Sequence, residues 1–260
     1  MAINFHDHNN KYTYSHRQAD STWRSAIKTI VNVKGKKILD VGCGGGIYTK
    51  ELTHMGASEV IGFDFSKEIL EAARENCAHL QNVSFVQGDA HNINFPNETF
   101  DIVISRAVVH HLKNVSLFLQ EAYRILKHDG VLILQDRTIE DCTLPGNPDH
   151  IRGYFFSCYP KLIPTEKERR PTTQQLQHEL ENTGFQTSSI HTLWETRKIH
   201  SSTKALLQDL SPRTGRSILH ELSDEELSHL LHHIHVELGD KEHIVERDRW
   251  TIWVGYKAKL

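Results

Sequence analysis

A chain of 260 residues is long for an average domain but within what one α/β core with insertions can occupy, so a single domain is the expectation. Its 30 Lys and Arg against 33 Asp and Glu give a net charge of −3, which excludes an overall positive field for nucleic acid or anionic lipid and favours a small-molecule partner. No stretch reaches the roughly 18 uninterrupted apolar residues of a membrane span, and the N-terminus lacks a basic region followed by an apolar one, so the chain reads as cytoplasmic, with no membrane partner.

The first 33 residues are polar up to Asp20 and then turn helical through Trp23, Ala26, Ile27, Ile30 and Val31, an arm and one helix packed on a core. Between Lys36 and Leu134 apolar runs of strand length alternate with stretches of helical period, as in a parallel sheet covered by helices. Strands are predicted at 37–41, 59–63, 83–87, 100–105 and 130–135. Helices are predicted at 47–55, closed by Gly56, at 66–78 with Ser66 as N-cap, and at 115–127. After Asp136 the pattern loosens into a proline-containing segment and the aromatic stretch 154–160, which reads as inserted cover. A short helix is expected at 173–182, ending at Gly184, and two late strands at 185–194 and 250–257. Between those strands Ser223-Asp-Glu-Glu226 is a capping box that opens a helix with apolar Leu227, Leu230, Leu231, Ile234 and Leu238. The division is therefore an arm and helix at 1–35, a core at 36–136, and remaining strands with cover insertions at 137–260.

The strongest local signal is Ile38-Leu-Asp-Val-Gly-Cys-Gly-Gly-Gly46, a strand running into a glycine turn and then a helix. Glycine lets the backbone turn tightly and approach a ligand, and the helix start presents unpaired N–H groups. The glycines at 42, 44 and 46 lack the third glycine of the dinucleotide fingerprint, because position 47 is Ile. Asp64, followed by Phe65, ends the next strand where a carboxylate can accept from two ribose hydroxyls. Asp89, followed by Ala90, ends the third and is either an acceptor for an adenine amino group or a turn residue. The fourth strand ends at Ser105-Arg-Ala107 and leads into His110-His111.

With four strand ends converging in this way, the stretch from Lys36 to Leu134 resembles the class I S-adenosylmethionine-dependent methyltransferase family, especially its small-molecule branch. The resemblance implies a doubly wound, Rossmann-like α/β fold with seven strands, the last antiparallel, and S-adenosylmethionine as cofactor. It implies that Asp40, Gly42, Cys43, Gly44 and Gly46 lie around the methionine end and that Asp64 and Phe65 lie at the ribose. Asp89 and Ala90 fall at the adenine, and Ser105, Arg106 and Ala107 beside the methionine moiety. The reaction implied is in-line displacement of a methyl group toward a small-molecule acceptor.

His110 and His111 are candidates for a general base, the alternative being that they cap the next helix or fill space. Tyr12, Tyr14, Arg17 and Trp23 either close over the cofactor or pack on the core. His229, His232, His233 and His235 share the late helix; without an HExxH pattern they read as solvated, and no metal is assigned. The basic run Lys167-Glu-Arg-Arg170 reads as a solvated loop, and Cys43, Cys77, Cys142 and Cys158 as reduced thiols. The insertions at 137–171 and 196–247 are expected to build the acceptor pocket with the arm. Two other functions fit less of the pattern: a non-catalytic cofactor-binding or interaction protein on the same fold, and a nicotinamide-dependent dehydrogenase.

Overall fold

A computed structural model describes residues 18–259, apart from the side chains of residues 187 and 188; Tyr12, Tyr14 and Arg17 lie outside the described residues. Contacts group the chain into two compact units. The first comprises 18–136, Thr172–Leu193 and 251–259, and the second comprises Arg137–Pro171 and Trp194–Trp250.

The first unit carries the five parallel strands of the sheet. Apolar runs become β1 (Lys37–Val41), β2 (Glu59–Asp64), β3 (Val83–Gln87), β4 (Phe100–Arg106) and β5 (Leu126–Asp136). Two later strands, β6 (Gln186–Ser202) and β7 (Glu242–Tyr256), complete a seven-stranded sheet in the order β3-β2-β1-β4-β5-β7-β6. β1 to β5 pair in parallel and β7 runs antiparallel to β5, the sheet expected from the resemblance. The register sets Val41 beside both Phe63 and Ser105, which brings the ends of β1, β2 and β4 together. That reversal of strand order at β1 is where open α/β sheets bind ligands.

Helices α1 (Ser21–Ile30), α2 (Ile47–His54), α3 (Lys67–Cys77) and α4 (Val115–Ile125) belong to the same unit. Ser66 caps α3 by accepting from the Ile69 N–H. α4 stops at Ile125 rather than Lys127 because Leu126 already has extended backbone and pairs with Phe100. Leu39, Val41, Phe118, Leu119, Leu132 and Trp253 share the buried core. Trp23 is fully buried, its Nε1 donating to Gln135 Oε1 at 2.8 Å, so of its two readings it packs on the core.

In the second unit the aromatic stretch is helical up to Cys158. After the short α5 (Ile139–Cys142) come α6 (Arg152–Cys158) and α7 (Leu162–Arg169). α8 (Thr173–Thr183) returns to the first unit with a capping box from Thr172 and ends at Gly184. α9 (Thr203–Leu210) and α10 (Asp224–Leu238) follow, and the Ser223 capping box forms as predicted. Tyr154, Phe155 and Phe156 are buried with Leu206, Leu227, Leu230 and Ile234, so their apolar surface is taken up inside the unit.

The basic run is likewise not a solvated loop. It finishes α7, where Arg169 and Arg170 both donate to Glu166, a carboxylate with no exposure. Asp248 accepts from Arg137 at 2.9 Å and Arg152 at 3.0 Å. Glu246 accepts from Arg216 at 2.8 and 2.9 Å and lies 3.0 Å from His200 Nε2. His200, Asp209 and Glu246 have a metal-like spacing, but the Arg216 guanidinium already lies on both carboxylates. On α10, His229 Nδ1 meets the Tyr159 hydroxyl at 3.1 Å, and the His233 ring stands edge-on to Tyr154.

Burial alone raises the carboxyls of Glu166 and Glu246. Arg170 and Arg169 outweigh it at Glu166, as Arg216, His200 and Arg197 do at Glu246, and each is held at about 2. A depressed folded value means stability present above about pH 4.5 and lost as pH falls through about 2. Hydrogen exchange on lowering the pH from 5 to 2.5 is therefore expected to lose protection in α6, α7 and α10 before β1 and β4. Earlier loss in β1 and β4 would show that these pairs do not set acid stability.

Candidate functional site

β1 runs into a left-handed bend. Gly42 has φ 72°, and a Cβ there would stand 2.1 Å from a Val108 methyl carbon, so no other residue fits without moving β4's extension. The Gly42 and Cys43 N–H groups both donate to the Phe63 carbonyl, at 2.7 and 3.2 Å, fastening the turn to β2. Gly46 then starts α2 at φ 77°, crowded by Cys77, Ala73 and Phe85.

Asp64 anchors the turn from the neighbouring strand. Its carboxylate accepts from Gly44 N–H at 3.0 Å through Oδ2 and from Ser66 N–H at 3.1 Å through Oδ1. Only 7% exposed, it is fixed in place before any ligand arrives.

Asp40, buried under the same turn, accepts from the Thr49 hydroxyl at 2.6 Å. Burial pushes its pKa up to about 6. Thr49 opposes that rise, the Asp64 carboxylate adds to it, and Arg106 opposes it. At the end of β4 the Arg106 guanidinium lies over the Tyr48 ring, 4.3 Å from its centre. Ser105, beside Val41 in the sheet, has a buried hydroxyl with no hydrogen-bond partner among the described residues. Ala107 is left-handed at φ 59°, a strained conformation for a residue with a side chain.

The third strand end is more open. Asp89 accepts from His91 N–H at 2.9 Å and lies 2.6 Å from His91 Nδ1, and the His91 N–H holds its carboxyl below the ordinary value. Its side chain is nonetheless 68% exposed, next to a half-buried Ala90, while Phe65 presents an exposed ring after β2. The chain thus brings Asp40, the glycine turn, Asp64 and Ser105 together, and leaves Asp89 and Phe65 outside the buried part of the site.

The two histidines separate. Both lie in a 3₁₀ turn, Val109–His111, and neither caps the following helix, since Asn114 does so by accepting from Leu117 N–H. His110 is buried with Nδ1 at 2.8 and 2.9 Å from the Asp136 carboxylate oxygens, whereas His111 is exposed, its ring centre 4.0 Å away. Asp136 and Thr49 were not among the sequence candidates. Asp136 had the same signal as Asp64, an acid ending a strand; Thr49 had none beyond a hydroxyl on an otherwise amphipathic helix.

A raised folded pKa at Asp40 costs stability as pH rises from about 4 through 6, where the unfolded chain has released a proton the folded one still holds. Asp40→Asn is expected to unfold at higher denaturant than the native chain above pH 6, by about 3 kcal/mol, with the difference vanishing near pH 4. Urea melts at both pH values check this. A variant less stable at pH 7 would show that the carboxylate contributes to the fold.

Residues 39–134, from β1 through β5, match the family model described as "Methyltransferase domain". A demethylmenaquinone methyltransferase of Staphylococcus epidermidis is 35% identical over 159 residues, 59% of this chain and 65% of that protein. The protein of the same name from Staphylococcus aureus is 33% identical over the same length and share. The match thus spans just under two thirds of these curated relatives. A Bacillus halodurans structure, described provisionally as a methyltransferase, aligns with a TM-score of 0.62 at 25% identity over 90% of this chain and 98% of that one. An N-methyltransferase of Haemonchus contortus shares the fold, with a TM-score of 0.60 at 17% identity over 99% of this chain and 61% of that one. Residues 39–134 thus match a methyltransferase domain, and the sheet order and these relatives support a class I S-adenosylmethionine-dependent methyltransferase.

Proposed function

We propose that the chain is an enzyme that transfers a methyl group from S-adenosylmethionine to a small-molecule acceptor. The observation that carries this reading is the buried junction of three strand ends, where Asp40, the glycine turn and Asp64 share the sheet register with Ser105, whose hydroxyl has no hydrogen-bond partner among the described residues. An orphaned buried hydroxyl and a backbone cradle with no room for side chains fit a polar cofactor lying against them. S-adenosylmethionine supplies, when bound, an electrophilic methyl carbon on a sulfonium.

The chain's own residues then bind and align. Gly42, Cys43, Gly44 and Gly46 would hold the methionine end with Asp40, Ser105, Arg106 and Ala107. Asp64 would accept from the ribose hydroxyls, and Phe65, Asp89 and Ala90 would meet the adenine. Alignment of the acceptor for in-line attack supplies about 7–11 kcal/mol, and a general base about 10²–10⁴-fold more, so positioning is the larger task. The net charge of −3 and the small-molecule activity in the relatives' names support a small acceptor. A cytoplasmic setting fits four cysteines that are all unpaired, and no helix among the described residues is long and apolar enough to cross a membrane.

Calorimetry with S-adenosylhomocysteine tests the site. Replacing Asp64 by Asn or Ala removes a charge-assisted acceptor and is expected to raise Kd about 10- to 100-fold with the circular dichroism spectrum retained. Unchanged affinity would assign Asp64 to holding the turn alone. Incubation with methyl-labelled S-adenosylmethionine and a cell metabolite extract is expected to yield a labelled small molecule. Binding without any labelled product would reduce the chain to a cofactor-binding protein, and equal thermal stabilisation by NADP would overturn the cofactor assignment.

A further inference from the structure

Gly46 opens α2 without a side chain that could cap it, and an acceptor comes instead from β1. Asp40 Oδ2 accepts from the Thr49 hydroxyl at 2.6 Å, and the Thr49 backbone N–H also faces that carboxylate. Thr49 has no exposure and Asp40 has 2%, so the pair is closed to water and Thr49 cannot touch a ligand itself. A carboxylate placed there has lost its hydration, and a hydrogen bond to its charged form counts for more than one at the surface. Four other groups face it. Asp64 on β2 repels its charge and Arg106 on β4 attracts it, while the thiols of Cys43 in the turn and Cys77 on α3 are kept neutral by burial. Of the groups that favour the ionised form, the Thr49 hydroxyl acts most strongly, and burial still outweighs it.

We infer that Thr49 is a positioning residue for the cofactor, whose hydroxyl holds the Asp40 carboxylate in its charged form, so that uptake of the ligand's ammonium end is coupled to loss of a proton from Asp40. The inference rests on the cofactor site proposed above and adds to it a pH control that a backbone cradle alone lacks. A cation bound on the glycine turn supplies an opposite charge near Asp40 and draws the carboxyl to its ionised form, the proton passing to solvent. Below about pH 6 Asp40 must give up that proton before it can face the ammonium group, whereas above it the carboxylate is already charged. Affinity therefore rises as pH increases through about 6 and levels off beyond it. Without the Thr49 hydroxyl the ionised form loses its strongest donor, and the rise moves to higher pH.

Calorimetry on the full chain with S-adenosylhomocysteine, which carries the ammonium group, tests this across pH 5 to 8.5. The native chain is expected to bind about tenfold more tightly at pH 7 than at pH 5, and to release about half a proton per ligand at pH 6, read from heats in buffers of different ionisation enthalpy. Thr49→Val removes the hydroxyl at similar volume and should displace the rise to higher pH, with affinity lost at pH 6.5 and regained by pH 8.5. Thr49→Ser keeps the donor and should keep the native profile. If Thr49→Val does not fold, Thr49→Ala carries the same comparison. A native affinity constant from pH 5 to 7 overturns the inference, as does a variant profile that coincides with the native one. A loss of the same factor at every pH also overturns it, because a packing defect alone gives that result. Absence of S-adenosylhomocysteine binding by the native chain at any pH sinks the cofactor reading, and this inference with it.

Discussion

The glycine turn after β1 keeps its shape through a carboxylate on the neighbouring strand. Asp64 takes the Gly44 N–H on one oxygen and the Ser66 N–H on the other, so one side chain orders the turn before α2 and the turn before α3. The parallel register makes this possible, because it sets Val41 beside Phe63 and brings the Phe63 carbonyl to the Gly42 and Cys43 N–H groups. Without that carboxylate the buried Ser66 N–H would lose this acceptor, at about 1–3 kcal/mol, and the part-buried Gly44 N–H would lose it too. The proposed ribose acceptor and the brace of the cofactor loop are therefore one residue, which preorganises the site.

Electrostatic tension is built into this junction. Asp40 lies close enough to Asp64 for their repulsion to add to the cost of burial, and the strained Ala107 sits at the adjacent strand end. Both are unfavourable in the protein alone and fit a surface built for a polar, partly cationic ligand. The second unit follows the opposite logic, with Glu166, Glu246 and Asp248 buried against arginines that hold them ionised. Such pairs add little net stability over apolar packing, but losing one partner leaves an uncompensated charge worth about 3–5 kcal/mol.

Much of the sheet was legible because its signals are local. Five apolar runs between Lys37 and Gln135 mark the parallel strands, and Ser66, Gly184 and Ser223 bond their own helix ends. Asp40, Asp64 and Ser105 were legible as strand-end residues for the same reason. What failed depended on distant partners. The Lys167 to Arg170 stretch looks solvated until Glu166 and Arg170, one helical turn apart, are buried together. α7 was hidden by Pro164, a helix breaker in general but tolerated in the first turn, where its missing N–H has no intrahelical partner. The Asp136 contact to His110 spans 26 residues, so the sequence showed two equivalent histidines where the fold distinguishes them.

On the reading proposed above, S-adenosylmethionine lies across the ends of β1, β2 and β4. A crystal structure with S-adenosylhomocysteine tests it most directly. Density is expected along the glycine turn, with the ribose hydroxyls on Asp64 and a polar atom of the ligand meeting the Ser105 hydroxyl. Density elsewhere on the chain, or a ribose bound without contact to Asp64, would contradict it.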